Sequence, residues 1–197
     1  MKNSLWGLLM LLIGMTACTN NDYTPKPRTY PKVEFPTRAY QAFDKSYCNF
    51  TFDQPVYTEI EQNTTFFDTL APNTCWFNIN YPKLGGTIHC TYYPINQKKS
   101  VTALVNDSYR MAEEHIKKAE YIDERQVSNP TDKVYGLLMD IGGPSASPFQ
   151  FYLTDSTQHF LRGALYFNTQ PNPDSLKPIV NFVKEDVEKM VKTFKWH

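Results

Sequence analysis

Residues 75–93 read CWFNINYPKLGGTIHCTYY, and this stretch indicates how the chain folds. Cys75, Phe77 and Ile79 share one face at a two-residue period, and the same period returns from Ile88 onward. That period is typical of strands with one buried face. The intervening PKLGG carries the proline and glycines that favour a tight reversal. The stretch therefore predicts an antiparallel β-hairpin.

Helix and strand patterns follow one another along the rest of the chain. A helical period of apolar side chains runs over 100–119 with Ser100 as its N-cap, and a second spans 179–194, in a helix capped by Asp174 or Ser175. Further strand-like runs lie at 47–60, 134–141, 149–155 and 160–167. Short connections are many and long crossovers few. The order predicts an α+β domain, with helices flanking an antiparallel β-sheet.

The composition excludes some classes of function. The chain has 197 residues, of which 41% are hydrophobic and 15% aromatic, and this is enough for one domain with a buried core. Lysine plus arginine equals aspartate plus glutamate at 20 each. No strong electrostatic field therefore favours nucleic acid, and we expect no nucleic-acid partner.

The first residues are predicted to be a lipoprotein signal peptide. Residues 1–17 combine a lysine with a short apolar run and small residues before Cys18, and the run is too short to span a bilayer. The ending MTAC resembles a bacterial lipobox. Cys18 is thus the predicted lipidation site, where acyl chains such as palmitate hold the protein on a membrane. The alternative is an ordinary signal peptide cleaved nearby.

The segment after the lipobox predicts a tether. The sequence TNNDYTPKPRTYPKVEFP contains four prolines, which keep a chain extended and semi-rigid. We therefore divide the chain into a signal peptide at 1–17, a lipidated cysteine and tether at 18–38, and a single α+β domain at 39–197.

Three cysteines remain if Cys18 is acylated: Cys48, Cys75 and Cys90. An odd number permits one disulfide and one free thiol, and export exposes the chain to oxidising conditions. Cys75 and Cys90 lie on the two strands of the hairpin, so a disulfide between them is the predicted pairing. The alternative is three small buried thiols.

The polar stretch TDSTQH raises the question of catalysis. A serine nucleophile needs a histidine base and an orienting carboxylate, which Ser156, His159 and Asp155 supply by residue type. No nucleophile elbow surrounds the serine, and aspartate and serine between two strand runs favour a turn. We therefore predict no catalytic residue and no enzymatic activity. A hydrolase that uses Ser156 and His159 is the competing hypothesis.

Other polar side chains show no motif for a ligand. Arg162 lies in a hydrophobic strand run and is either a buried partner of Asp155 or Asp140 or exposed on the solvent face of the sheet. The four histidines are scattered, and metal-ligand spacings and phosphate-binding glycine loops are missing. We therefore expect no metal and no cofactor.

Longer motifs resemble a known family. SPFQFYLTDSTQHFLRGALYFNTQPNPDSLKPIV at 147–180 is similar to the gliding-motility lipoprotein family GldD of Bacteroidetes. CWFNINYP, NPTDKVYG, DIGGPSASP and the final KTFKWH carry the same resemblance, which covers nearly the whole chain after Cys18. The order of elements is also similar to the PsbP-like α/β/α sandwich.

The resemblance implies a role rather than a reaction. It implies a membrane-anchored, non-enzymatic accessory of the gliding-motility and type IX secretion machinery, whose partner is an envelope protein complex. No acidic cluster follows Cys18, so we expect the periplasmic side, on the inner leaflet of the outer membrane or on the inner membrane. The alternative function is a periplasmic carrier of lipid, glycan or peptide, with a pocket between sheet and helices.

The loop GGPSASP and the turn TDST, with the strand that follows it, are the predicted contact surface, because loops on a rigid sheet often carry recognition. The residues concerned are Gly142, Gly143, Ser147, Asp155, Ser156, Thr157, His159 and Arg162. The resemblance to a Bacteroidetes family also implies O-glycans at Asp-Ser/Thr-apolar sequences. These sequences place acceptors at Thr69 and Ser175, and for Ser175 helix capping is the competing role.

Overall fold

The computed structural model of the chain describes residues 32–66, 69–116, 119–170 and 172–197. The predicted signal peptide, the lipidation site at Cys18 and the tether up to residue 31 lie outside the described residues. The elements are β1 (Tyr40–Phe43), β2 (Phe50–Pro55), β3 (Glu59–Gln62), β4 (Thr65–Phe66), β5 (Thr69–Leu70), β6 (Trp76–Tyr81), β7 (Gly86–Pro94), α1 (Val101–Ile116), β8 (Tyr121–Asn129), β9 (Val134–Gly142), β10 (Phe149–Thr154), β11 (His159–Phe167), α2 (Pro173–Thr193) and β12 (Lys195–Trp196).

An antiparallel sheet organises the described part of the chain. Its strands follow the order β3-β6-β7-β11-β10-β9-β8. The predicted hairpin forms its β6–β7 pair, in which Ile79 lies opposite Ile88. A smaller sheet has the order β1-β2-β12, and β4 pairs with β5.

Helices cover both faces of the large sheet. Helix α1 packs Ala112 against Leu137, Met139 and Ile141 on one face. The other face carries the main core, where α2 and the small sheet bury phenylalanine rings against the large sheet. This arrangement confirms the predicted α+β class, with helices flanking an antiparallel sheet.

Local signals set the helix ends. Ser100 accepts a hydrogen bond from the N–H of Ala103 at 3.2 Å, as predicted for the α1 cap. In α2 the N-cap is Asn172, not Asp174 or Ser175. Pro173 explains the difference, because proline is favoured at the first helical position, and the cap is then the residue before Pro173.

The folded unit begins before the predicted boundary at residue 39. The compact unit starts at Lys32. Phe35 stacks on Phe182 of α2 with ring centroids 4.8 Å apart, and Val33 packs against the core. Residues 32–38, assigned to the tether by composition, are therefore part of the domain.

The predicted Cys75–Cys90 disulfide is wrong. Cys75 is bonded to Cys48, with the Cα atoms 5.0 Å apart, and Cys90 is a buried free thiol. The hairpin register explains the error. Phe77 lies opposite Cys90 and Trp76 opposite Thr91, so the position facing Cys75 is two residues beyond Cys90.

The disulfide assignment predicts opposite thiol counts in two variants of a soluble form that starts at residue 18 and carries Cys18→Ser. Unreduced, denatured Cys90→Ala should show no free thiol, and Cys48→Ala should show two, by thiol titration. The reverse pattern would support the Cys75–Cys90 pairing. Because the bond joins residues 27 positions apart, reduction should lower the free energy of unfolding by about 3.5 kcal/mol.

Candidate functional site

The stretch TDSTQH forms the turn between β10 and β11. The carboxylate of Asp155 accepts hydrogen bonds from the backbone N–H groups of Thr157, Gln158 and His159 at 2.8–3.0 Å. Although burial acts to raise the pKa of Asp155, these bonds hold it below the ordinary value. The carboxylate therefore shapes the turn.

The other two members of the hypothetical triad also serve the fold. Ser156 has a positive φ of 66°, and its N–H donates to Thr154 Oγ1 at 2.9 Å. Nδ1 of His159 lies 2.6 Å from the Tyr92 hydroxyl, in hydrogen-bond contact, and its ring stacks on Trp196. Because Asp155 is committed to backbone N–H groups, it does not orient His159 as a triad requires.

Arg162 takes neither of the predicted roles. It is partly buried, and its Nη2 donates to Oε1 of Gln150 at 2.7 Å. Asp155 is engaged in its own turn, and Asp140 pairs with Lys184 of α2. Burial lowers the pKa of the Arg162 guanidinium. The side chain is thus a partly buried charge beside a neutral amide.

The loop GGPSASP is held partly inside the protein. A Cβ at Gly142 would lie 2.1 Å from Cε1 of Tyr121, so a larger residue there would displace that exposed ring, and Gly143 has a φ of 90°. Ser147 is fully buried. Its assignment to a contact surface is therefore wrong, because contacts within the loop hold it inward: its N–H donates to Ser145 Oγ at 3.3 Å.

The two predicted contact segments do not form one surface. The loop GGPSASP precedes β10 and the turn at Asp155 follows it. A six-residue strand holds its ends about 17–20 Å apart. The hydrogen-bonded His159 is also buried, which leaves Ser156, Thr157 and Gln158 as the exposed residues of the turn.

A buried carboxylate in α2 was missed by the sequence analysis. Asp186 is 1% exposed. It accepts hydrogen bonds from the hydroxyls of Tyr40 at 2.9 Å and Tyr57 at 2.8 Å, and from Nη1 of Arg38 at 2.9 Å. Burial raises the pKa of Asp186, and its hydroxyl partners, Tyr81 among them, and Arg38 oppose that rise.

Two clefts open on either side of Tyr121, near the start of β8. One, of about 470 Å³, is lined by Tyr109, Glu113 and Glu124 among others. The other, of about 240 Å³, lies between the loop GGPSASP and the beginning of α2. Tyr121 is 57% exposed and borders both clefts.

Neither a metal-binding cluster nor a membrane-spanning helix occurs among the described residues. No group of three or more His, Cys, Asp or Glu side chains in that part of the chain is placed to hold a metal ion. No described helix is long and apolar enough to cross a membrane.

Comparison with protein families identifies the chain. The model of the family described as gliding motility lipoprotein GldD matches residues 20–196. The chain belongs to the GldD family. Membership confirms the resemblance carried by residues 147–180 and the shorter motifs, and it links the protein to gliding motility and to membrane attachment as a lipoprotein.

Two further comparisons complete this result. No curated protein matches this GldD family member. Among solved structures, it is similar to cyanobacterial PsbP (CyanoP) from Synechocystis sp. PCC 6803, known from a solution structure. The match has 12% sequence identity and a TM-score of 0.46, and it covers 82% of this chain and 95% of the cyanobacterial one.

The proposed O-glycan acceptors lie in different settings. Thr69 is exposed in β5, and Asp68, which completes its motif, lies outside the described residues. The hydroxyl of Ser175 donates to the carbonyl of Asn172 at 3.2 Å in the first turn of α2. Glycosylation at both positions stays a prediction.

Replacing Asp155 should reveal its role in the turn. Asp155→Asn should lower the free energy of unfolding at pH 7 by about 1 kcal/mol, since three N–H bonds lose their charged acceptor. The pKa of Asp155 is lowered in the fold, so its contribution is present above about pH 4 and is lost as pH falls through the folded pKa. Urea unfolding between pH 7 and pH 2 measures the difference. A difference independent of pH would contradict the assignment.

Removing the counter-charge of Asp186 should destabilise the domain. Arg38→Gln should cost about 2 kcal/mol at pH 7, because a buried carboxylate loses its cation. The folded pKa of Asp186, which burial already raises, should then rise further. The deficit should therefore grow as pH increases from the folded pKa of the unmodified protein to the higher folded pKa of the variant, and shrink at lower pH. Urea unfolding across this range checks the profile. Glu185→Gln is the matched control, because Glu185 meets Arg38 while 67% exposed, and it should change stability by less than about 0.5 kcal/mol.

Proposed function

We propose that this protein is a lipid-anchored module on the periplasmic side of the envelope, and that it acts by binding proteins of the gliding and type IX secretion machinery. The family supplies the lipoprotein character and the link to gliding. The apolar leader before Cys18 and the lack of an acidic cluster after it support a periplasm-facing anchor.

The commitment of the reactive side chains to the fold carries the non-enzymatic part of this proposal. Asp155 holds a turn, His159 is stacked and hydrogen-bonded, and Asp186 is enclosed by its partners. A catalytic acid or base needs access to the proton that it moves. Each of these groups instead meets another part of the same chain.

The packing of the interior favours a binding module over a carrier. A carrier was expected to hold its ligand between sheet and helices, and aromatic side chains fill that space. The ring centroid of Phe43 lies 4.5 Å from that of Phe52 and 4.9 Å from that of Phe77. The two clefts beside Tyr121 lie at the margin of the large sheet, where a macromolecular partner has access.

The proposal predicts different outcomes for anchor and turn variants in a gliding Bacteroidetes host that lacks its own copy. Cys18→Ser should release the protein from membranes and abolish gliding, whereas Ser156→Ala should restore gliding fully. Membrane fractionation, incorporation of alkyne-labelled palmitate and colony spreading measure these effects. Loss of gliding in a stably folded Ser156→Ala protein would contradict the non-enzymatic role, and normal gliding by the unanchored Cys18→Ser protein would contradict the anchored module.

A further inference from the structure

Strand β8 ends the large sheet and has one long edge without a neighbouring strand among the described residues. It spans nine residues, Tyr121–Asn129, and pairs with β9 over its whole length. An end strand presents unpaired backbone N–H and C=O groups along its outer side. Such an edge can accept an additional strand from another chain.

The register identifies the outward-facing backbone groups. Ile141 donates its N–H to the carbonyl of Pro148 at 2.9 Å, so the odd-numbered residues of β9 are bonded towards β10. Alternation then directs the backbone groups of Asp140 and Leu138 towards β8. Asp123 and Arg125 lie opposite these two residues and face β9 in return.

The even-numbered residues of β8 point their backbone groups away from the sheet. By the same alternation these residues are Ile122, Glu124, Gln126 and Ser128. They present four N–H donors and four C=O acceptors in the geometry that an antiparallel or parallel strand requires. The strand contains no proline that would interrupt this row.

The opposite edge of the sheet is shorter. Strand β3 spans four residues, Glu59–Gln62, and leads directly into the β4–β5 pair. Short edge strands are one of the means by which proteins prevent unwanted pairing. Within the described residues, β8 is therefore the edge of the large sheet that offers the longer docking surface.

The clefts beside Tyr121 extend this edge into a side-chain binding site. Side chains of a strand alternate between the two faces of a sheet. A strand added along β8 would thus direct successive side chains to opposite faces, where the clefts of about 470 Å³ and about 240 Å³ lie.

The chemistry of the larger cleft indicates which side chain it accepts. Its described lining includes the carboxylates of Glu113, Glu120 and Glu124. Ala112 and Met139 supply apolar surface. A lysine or arginine fits both properties, because its apolar stem packs on methyl groups while its charged head meets carboxylates.

We propose that β8 binds an extended, basic segment of a partner protein as an added strand, with a lysine or arginine of that segment in the larger cleft. The proposal rests on the binding role given under Proposed function and names the chemistry of the partner. Backbone hydrogen bonds to the edge supply affinity, and the carboxylates select the basic side chain.

A defined peptide tests the proposal with the purified soluble form that starts at residue 18 and carries Cys18→Ser. The probe is a fluorescein-labelled nine-residue peptide of alternating lysine and valine, and fluorescence anisotropy reports its binding. One control peptide carries N-methyl groups on alternate backbone nitrogens, and another has glutamate in place of lysine. We expect saturable binding of the lysine peptide, and binding at least about tenfold weaker for both controls, since each loses hydrogen bonds or charge pairing worth 1.4 kcal/mol or more.

A matched pair of proline variants locates the binding edge. Gln126→Pro removes an outward N–H of β8 and leaves its ladder to β9 intact. Gln62→Pro does the same on β3, where Asn63 is bonded to Trp76 and Gln62 therefore faces outward. We expect Gln126→Pro to weaken peptide binding at least about tenfold and Gln62→Pro to leave it within about twofold, with melting curves that confirm folding.

Several results would overturn the proposal. They are lack of saturable binding, equal binding of the glutamate or N-methylated peptide, and unchanged binding by folded Gln126→Pro. A dimer of the peptide-free protein that Gln126→Pro abolishes, seen by sedimentation, would identify a second copy as the occupant instead.

Failure of this proposal differs from failure of the proposed function. If folded Gln126→Pro binds no peptide but still supports gliding from the membrane, the edge is not the functional docking surface and the anchored module stands. If Cys18→Ser supports normal gliding, the anchored module fails, while peptide binding by the soluble form is unaffected.

Discussion

The buried carboxylate of Asp186 is the constraint on which the arrangement of the domain depends. Its partners come from separate segments: Arg38 from the first described residues, Tyr40 from β1, Tyr57 from the connection after β2, and Tyr81 from the end of β6. A carboxylate removed from water is costly unless these donors surround it. Their hydrogen bonds therefore fix α2, the small sheet and the large sheet in one mutual position.

The apolar face of the same helix completes this arrangement. Val183, Val187 and Met190 are buried at three- and four-residue steps around Asp186 and pack into the aromatic core. The phenylalanine rings supply much of the buried area, and area removed from water is the main favourable contribution to folding. The polar cluster specifies where α2 lies, and the apolar contacts stabilise it there.

The sequence predicts those elements whose burial is regular and local. The hairpin of Phe77 and Ile88 and both helices bury one face each, so their periods can be read directly. Strand β8 could not be read this way, because the sequence YIDERQVSN has no regular alternation and only Ile122 and Val127 pack against the cores. The position of β8 depends on its pairing with β9, and no local sequence pattern predicts that pairing.

The candidate site also combines a feature that the local sequence predicts with features that only the tertiary structure reveals. The turn formed by Asp155 follows from local chemistry, and the sequence predicted it. Asp186 lies in the charged run KEDVEK, where its character by residue type is that of a solvent-exposed helix position. Only the tertiary contacts with Arg38 and the tyrosines mark it as buried. The Cys48–Cys75 bond was likewise missed because it depends on where the segment before β2 folds.

The attachment of the first described residues to α2 also determines how the domain responds to mechanical load. Tension applied to the chain from its amino-terminal side meets the stacked ring of Phe35 and the ion pair of Arg38 before it reaches β1. These contacts converge on one part of the helix, since Arg38 also donates to the carbonyl of Phe182, on whose ring Phe35 stacks. A pull from that direction is therefore resisted first by contacts with the long helix, before the load reaches β1.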